Sequence, residues 1–322
     1  MKNTHSIFWD TLGAEPRKKI CDLEWHIGSA PSPTTHIASR PIGKFDFSRA
    51  SAAKNESELA DMLSQHCKDI NDIPEASFLV AKRELPSNII YRRLCRNTDQ
   101  DANILNFSTP MFPGEAEERV AFLHQCEVLI ERIRAISQVI QLDDRTLDSF
   151  GDEIRNVLIL SCTEIEAISK SILSANGISA KNIFDFFKLE RACRLSEYSV
   201  SFIRFPGLSP VKPFLSWANP TADGRLPWYT SYNHTKHDRI SNVAEGNLGN
   251  ALNATAGIIA LLCASYGWPA IRTHSRISDF TCVNEYPSFG LAECYMFTSE
   301  QIMENGKGRV IPNPIYGRGY PF

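Results

Sequence analysis

The chain has 322 residues, of which 43% are apolar and 22% charged, and its net charge is −3. This composition is typical of a soluble globular protein. The small negative charge excludes a general electrostatic attraction for nucleic acid or anionic membranes, so a polyanionic partner needs a local basic patch.

The cysteines and the apolar segments favour a reduced, cytoplasmic protein. Nine cysteines are scattered without C-x-x-C spacing, and several lie in apolar helical patterns, where a free cysteine acts as a small hydrophobic residue. Residues 1–30 contain no apolar run suited to a signal peptide. The most apolar segment, residues 254–266, is shorter than the roughly 20 residues that span a bilayer, so we expect no membrane insertion.

Residues 1–112 form the first predicted region, of mixed α/β character. Within it, residues 57–70 carry apolar side chains at the spacing of a short amphipathic helix. Residues 77–81 and 89–94 are typical of strands. The proline-containing stretch 109–114 marks the boundary with the next region.

Residues 113–270 predict a bundle of about five helices. Apolar residues recur at spacings of three and four in segments 115–140 and 147–175, after Ser179, from Pro227, and in segment 247–266. Residues 271–322 predict short strands at 280–283 and 292–297 and an irregular tail. The expected fold class is therefore mainly α, with small α/β additions at both ends.

The fourth of these helices carries the stretch WYTSYNHTKHDR, residues 228–239, which concentrates aromatic and cationic side chains. Residues three and four apart are neighbours on a helix, so Asn233 lies beside Lys236 and His237. An adjacent strip is lined by Trp228, Tyr232, Lys236 and Arg239. This spacing also predicts an ion pair between His234 and Asp238.

Three charged residues interrupt the apolar second helix: Arg155, Glu164 and Glu166. Arg155 and Glu166 are eleven residues apart, nearly three helical turns, and therefore share a face. A charge inside a covered helix is costly unless it is paired. We therefore predict that Glu164 or Glu166 meets a cation from residues 236–239.

Three stretches of the helical region carry a family resemblance. They are Tyr232-Asn233-x-x-Lys236-His237-Asp238-Arg239, followed by Asn247-Leu248-x-Asn250-x-Leu252-x-Ala254, and the upstream run EIRNVLILSCTEIE at 153–166. Together they resemble the helical HEPN-type proteins of bacteria. The resemblance covers residues 115–266. It implies a helical bundle that forms a homodimer, and either a metal-independent ribonuclease of a defence or toxin system or a non-catalytic binding module.

The resemblance also implies roles for the residues of the stretch. His237 would be the acid–base group, Lys236 and Arg239 would hold phosphate, and Asn233 would orient the substrate. Tyr232 or Trp228 would stack a base, and Arg155, Glu164 or Glu166 would position the cations. Active members carry an arginine before the histidine, where this chain has Asn233. The expected partner is RNA, with a protein partner as the alternative.

Other chemistries find less support in the sequence. His234-x-x-His237-Asp238 is the beginning of a metal site but lacks identified further ligands. A literal arginine–histidine pair, Arg119 and His124, has an apolar interval and turns its side chains apart. The chain has no Gly-x-Ser-x-Gly and no phosphate-binding glycine motif. We therefore expect neither metal nor cofactor.

Overall fold

A computed structural model of the protein describes residues 4–11, 22–26, 36–37, 40–41, 58, 61, 65, 76–82, 89–96, 114–219, 225–287, 289 and 315–316. The described chain is mainly helical, as the sequence predicts. It divides into two compact units. One comprises Met1–Ile90 with Phe289–Tyr316, and the other comprises Tyr91–Ser288 with Gly317–Phe322.

The first unit contains short strands. Strand β1 (Thr4–Thr11) lies between β2 (Asp22–His26) and β5 (Ala76–Lys82) and runs antiparallel to both. Two smaller pairs are the antiparallel β3 (His36–Ile37) and β4 (Arg40–Pro41), and the parallel β6 (Ile89–Ile90) and β9 (Ile315–Tyr316).

Several predictions fall on this first unit and its flanks. The predicted strand 77–81 is confirmed within β5, whereas the predicted strand 89–94 stops at Ile90. In the predicted helix 57–70, the described residues Glu58, Asp61 and Gln65 are helical. The predicted strand 292–297 lies outside the described residues. Sequence analysis missed β1 and β2.

The second unit is built on four long helices: α1 (Glu115–Ser137), α2 (Asp152–Ala175), α5 (Pro227–His237) and α6 (Leu248–Tyr266). The third predicted helix is divided into the short α3 (Ile183–Phe186) and α4 (Lys188–Cys193). After α6 come α7 (Trp268–Ile271) and α8 (Ser275–Ser278), and strands β7 (Ser199–Phe202) and β8 (Thr281–Glu285) form an antiparallel pair.

Local sequence explains where the long helices begin and end. The side chain of Asn247 accepts a hydrogen bond from the backbone N–H of Asn250 and caps α6, while Pro227 occupies the first turn of α5. Gly177, at φ +78°, follows α2, where the backbone N–H of Ile178 reaches the carbonyl of Leu173 at 2.9 Å. These signals are in the sequence, so the helices are found close to their predicted bounds.

Helix α6 is the centre of the second unit. Its residues from Ala254 to Tyr266 are all buried, and it packs most extensively against α2. Gly257 permits this close approach, because a Cβ atom there would lie 3.1 Å from Ile165 Cδ1 and 3.4 Å from Phe214 Cζ. Among the described helices, α6 has the length and composition to cross a membrane, but 83% of the relevant segment is buried inside the protein, as in a core helix.

Polar contacts between side chains of α1 and α2 align these two helices. Ser171 Oγ donates to Glu118 at 2.7 Å, and Arg132 Nη1 donates to Glu153 at 2.8 Å. Because the later residue of α2 meets the earlier residue of α1, the two helices run antiparallel. Cys126 of α1 and Ile165 of α2 lie between these two contacts along their helices, and both are buried.

The segment Tyr91 to Arg96 belongs to the helical unit. Its Arg92 Nε donates to Glu115 at 2.6 Å, and Asn176 Nδ2 donates to the carbonyl oxygen of Arg92 at 2.9 Å. The backbone N–H of Cys95 donates to Ala264 at 2.7 Å. This segment therefore joins the start of α1, the end of α2 and the end of α6.

Gly257→Leu should destabilise the helical unit, because no space exists for a larger side chain between α2 and α6. We expect the free energy of unfolding in urea to fall by about 1–3 kcal/mol or more. Gly249→Ala is the matched control, since a Cβ atom there meets Leu147 Cβ only at 3.4 Å. An unchanged unfolding midpoint for Gly257→Leu would contradict the central packing of α6.

Candidate functional site

The first turns of α5 anchor it in the core. Trp228, Tyr229, Tyr232 and Thr235 are buried, and Trp228 Nε1 donates to the carbonyl oxygen of Pro213 at 2.6 Å. Trp228 is 3% exposed and Tyr232 is 2% exposed. Neither ring therefore has a free face on which a base could stack, which corrects the role expected for them.

Glu166 of α2 lies beneath the tyrosines of α5. Tyr229 Oη donates to Glu166 Oε1 at 2.8 Å, and Tyr232 Oη lies 3.4 Å from the same oxygen. Lys170 Nζ reaches the other oxygen of Glu166 at 3.3 Å. Burial, followed by the hydrogen bond to Glu166, raises the pKa of Tyr229. Glu166 therefore pairs with Lys170 of its own helix and accepts from the phenols, and these contacts replace the predicted ion pair with residues 236–239.

Lys236 is connected to Glu166 through Tyr232. Its Nζ donates to Tyr232 Oη at 2.9 Å and lies 5.0 Å from the centre of the same ring. A phenol has one hydrogen to donate and can also accept, so Tyr232 can serve both partners at once. Lys236 keeps two further N–H donors, and the residue is exposed.

His237 and Asn233 are open to solvent. His237 is exposed and Asn233 half-buried, and within the described part of the chain no hydrogen bond or ion pair reaches either side chain. One helical turn separates them. An imidazole without a partner is available to exchange a proton with a bound molecule.

Arg239 follows the end of α5 and is tied to the beginning of α2. Its Nη2 donates to Asp152 Oδ1 at 2.7 Å, and Arg155 Nη1 lies 3.1 Å from the same oxygen. The stem of Arg155 packs on Gly246, where a Cβ atom would approach to 3.1 Å. Together with the tyrosine contacts to Glu166, the contact to Asp152 shows that α5 runs antiparallel to α2.

The predicted pair of His234 and Asp238 is wrong. His234 Nδ1 lies 2.9 Å from Glu245 Oε2, and Asp238 Oδ1 accepts from the backbone N–H of Ser241 at 3.1 Å. The reason is that α5 ends at His237, so the helical spacing does not extend to Asp238. Among the described residues, no three His, Cys, Asp or Glu side chains are grouped as metal ligands.

Glu164 lies on the α1 side of α2, away from the cations of α5. It is half-buried, and no described side chain pairs with it. Burial raises the pKa of Glu164 to about 7. It therefore takes no part in the arrangement around α5.

The arrangement presents two exposed cations and an exposed imidazole at the end of α5. Lys236, His237 and Arg239 are exposed while their supports, Tyr232 and Asp152, are fixed by α2. We call Asn233, Lys236, His237 and Arg239 the α5 cluster. The sequence pattern predicts neither the contact of Asp152 with Arg239 nor the contacts of Tyr229 and Lys170 with Glu166. The spacing of Tyr229 and Tyr232 on one helix was a usable signal for the latter.

The second candidate pair, Arg119 and His124 of α1, does not form a site. His124 is exposed, whereas the guanidinium of Arg119 lies over the ring of Tyr266 at 5.3 Å. Five residues separate the two, which places them about 140° apart around the helix.

Glu164 makes the stability of the protein depend on pH. Its pKa is about 7 in the folded protein against an ordinary 4.5, so the folded state holds the proton more tightly. This contribution is fully present below pH 4.5 and is lost as the pH rises through 7. Glu164→Gln, which mimics the protonated form, should raise the free energy of unfolding at pH 8 by about 1 kcal/mol, allowing for partial solvent screening.

Urea unfolding at pH 5 and pH 8 measures this effect, and Glu164→Gln should give little gain at pH 5. Asp148→Asn removes an exposed carboxylate just before α2 and is the control. A gain at pH 8 that is equal for both variants would show that Glu164 is not the responsible group.

Comparison of the chain with protein-family models, with curated proteins and with solved structures found no match. The local geometry of α2 and α5 is therefore the basis for any assignment of function.

Proposed function

We propose that the helical unit is an HEPN-like module that binds RNA through the α5 cluster and cleaves it without a metal ion. The observation that carries this proposal is the exposure of His237 between two supported cations, Lys236 and Arg239. If the carboxylates of α2 had buried and fully paired these side chains, a purely structural role would be the better interpretation. The proposed setting is a cytoplasmic homodimer of a bacterial defence or toxin system.

The chemistry needs few groups. His237 accepts the proton of a ribose 2′-hydroxyl as that oxygen attacks the adjacent phosphorus. The bond from phosphorus to the 5′-oxygen breaks, and this oxygen leaves with a proton from water. Lys236 and Arg239 stabilise the negative charge that develops on the phosphoryl oxygens. Asn233 offers an amide one turn from His237 to orient the substrate.

The supports of the α5 cluster leave its cations available. Arg239 gives one of its N–H groups to Asp152, and a guanidinium has five. Lys236 likewise gives one of its three N–H groups to Tyr232. Anchored cations lose less conformational freedom on binding phosphate than free ones, which favours binding.

The alternative is a non-catalytic protein-interaction module. It is favoured by apolar side chains beside the α5 cluster, since Ile240 is 90% exposed and Val243 is 44% exposed. In that case the cations would form the polar rim of a protein interface.

His237→Ala should abolish cleavage of total RNA in the presence of EDTA. Loss of a general acid–base group reduces the rate by about 10²–10⁴-fold. His234→Ala is the matched control, because His234 is an exposed histidine on the same helix but is engaged by Glu245. If wild type does not cleave RNA, or if His237→Ala retains full activity, the catalytic proposal is wrong.

Two tyrosine variants test RNA binding separately from RNA cleavage. Tyr232→Phe removes the oxygen that holds Lys236, whereas Tyr229→Phe removes only a hydrogen bond to Glu166. Each should cost about 1 kcal/mol of stability. We expect Tyr232→Phe to weaken binding of a fluorescein-labelled RNA about 3–10-fold, and Tyr229→Phe to stay within about twofold, as measured by anisotropy at fixed salt. Equal losses for both would argue against positioning of Lys236 by Tyr232.

A further inference from the structure

Phe150 is an exposed aromatic residue held on a rigid backbone next to the α5 cluster. It is 52% exposed and forms an antiparallel bridge with Asn247. Just before Phe150, the carbonyl oxygen of Ser149 accepts from the backbone N–H of Leu248 and that of Leu147 from the backbone N–H of Gly249, both at 2.8 Å. The ring is therefore presented from fixed backbone at the junction of α2 and α6.

The position of Phe150 relative to the cations distinguishes it from an ordinary exposed apolar residue. Asp152, two residues later, holds Arg239 at 2.7 Å. Two peptide units span at most about 7 Å, so the Cα atoms of Phe150 and Asp152 are no farther apart than this. Phe150 therefore lies two residues from the carboxylate that holds Arg239, a separation that suits a nucleotide whose phosphate is bound by Arg239 and whose base stacks on the ring.

Two of the three acidic residues near Phe150 in the chain, Asp152 and Glu153, are already paired, and the third, Asp148, is exposed. Asp152 is engaged by Arg155 and Arg239, and Glu153 by Arg132. Each of these two paired carboxylates therefore has an arginine to offset its repulsion of phosphate.

We infer that Phe150 is a base-stacking residue that makes the α5 cluster prefer RNA with unpaired nucleotides. This inference rests on the proposed RNA function and names the residue that selects the form of RNA. Stacking on an aromatic ring is available to a base outside a duplex and tolerates any sequence. Phosphate contacts by Lys236 and Arg239 do not distinguish single strands from duplexes. The two kinds of contact therefore predict different effects of substitution.

Phe150→Ala should weaken binding of a labelled single-stranded RNA about 5–30-fold, the loss expected from one stacked base. Binding of a blunt duplex of the same sequence should change by less than about twofold. Phe150→Tyr should restore single-strand affinity. Phe184→Ala is the matched control, because Phe184 is 53% exposed but lies in α3, which follows the C-terminal end of α2, whereas Asp152 begins α2. Lys236→Ala/Arg239→Ala should weaken both forms of RNA.

A second measurement uses fluorescence to detect contact between RNA and the ring at position 150. Phe150→Trp places an indole at this position, and its fluorescence should be quenched by single-stranded RNA and much less by the duplex. Because the chain already contains five tryptophans, the fluorescence of the wild-type protein is the reference. This readout keeps the inference testable even if Phe150→Ala disturbs the junction of α2 and α6.

The outcomes separate this inference from the proposed function. Equal affinity of Phe150→Ala and wild type for single strands overturns the inference while RNA binding by the cations stands. An equal loss for single strand and duplex also overturns it, since stacking would not act on a closed duplex. Failure of wild type to bind either RNA overturns the proposed function and this inference together. A selective single-strand loss that Phe150→Tyr restores supports it.

Discussion

The close packing of α6 against α2 is the interaction on which the rest of the helical unit depends. Helix α6 is buried along most of its length, so its position is set by the removal of apolar surface from water. Gly257 allows α2 to approach it, and Ile165 of α2 fills the space. Once α2 and α6 are fixed in this way, α5 packs against both of them.

The hydroxyls of Tyr229 and Tyr232 connect the buried part of α5 with groups at the protein surface. Both rings are buried, but both hydroxyls reach Glu166, and that of Tyr232 also reaches the exposed Lys236. A half-buried carboxylate such as Glu166 loses part of its hydration, and hydrogen bonds to its oxygens offset this cost. The same contacts that satisfy Glu166 therefore also restrict Lys236, and one network serves both folding and presentation of a cation.

Much of the helical unit was predictable because its signals are local. The apolar spacing of α1, α2 and α6 and the breaking residues at their ends place these helices within a few residues of the observed bounds. The third predicted helix is observed as two short helices: α3 ends at Phe186 and α4 begins at Lys188. Strands β1 and β2 were missed, since short strands in a polar region leave a weaker periodic pattern than helices do.

The sequence by itself determined the mainly helical character, the helical turn that brings Asn233, Lys236 and His237 together, and the presence of acidic residues on α2. Only the tertiary structure decided that Glu166 is satisfied by tyrosines, that His234 turns to Glu245, and that Phe150 is exposed two residues before the Asp152 that pairs with Arg239. The physical reason is that helical spacing specifies which side chains are neighbours within one helix. Which of them are buried, and which charges meet, depends on how separate helices pack.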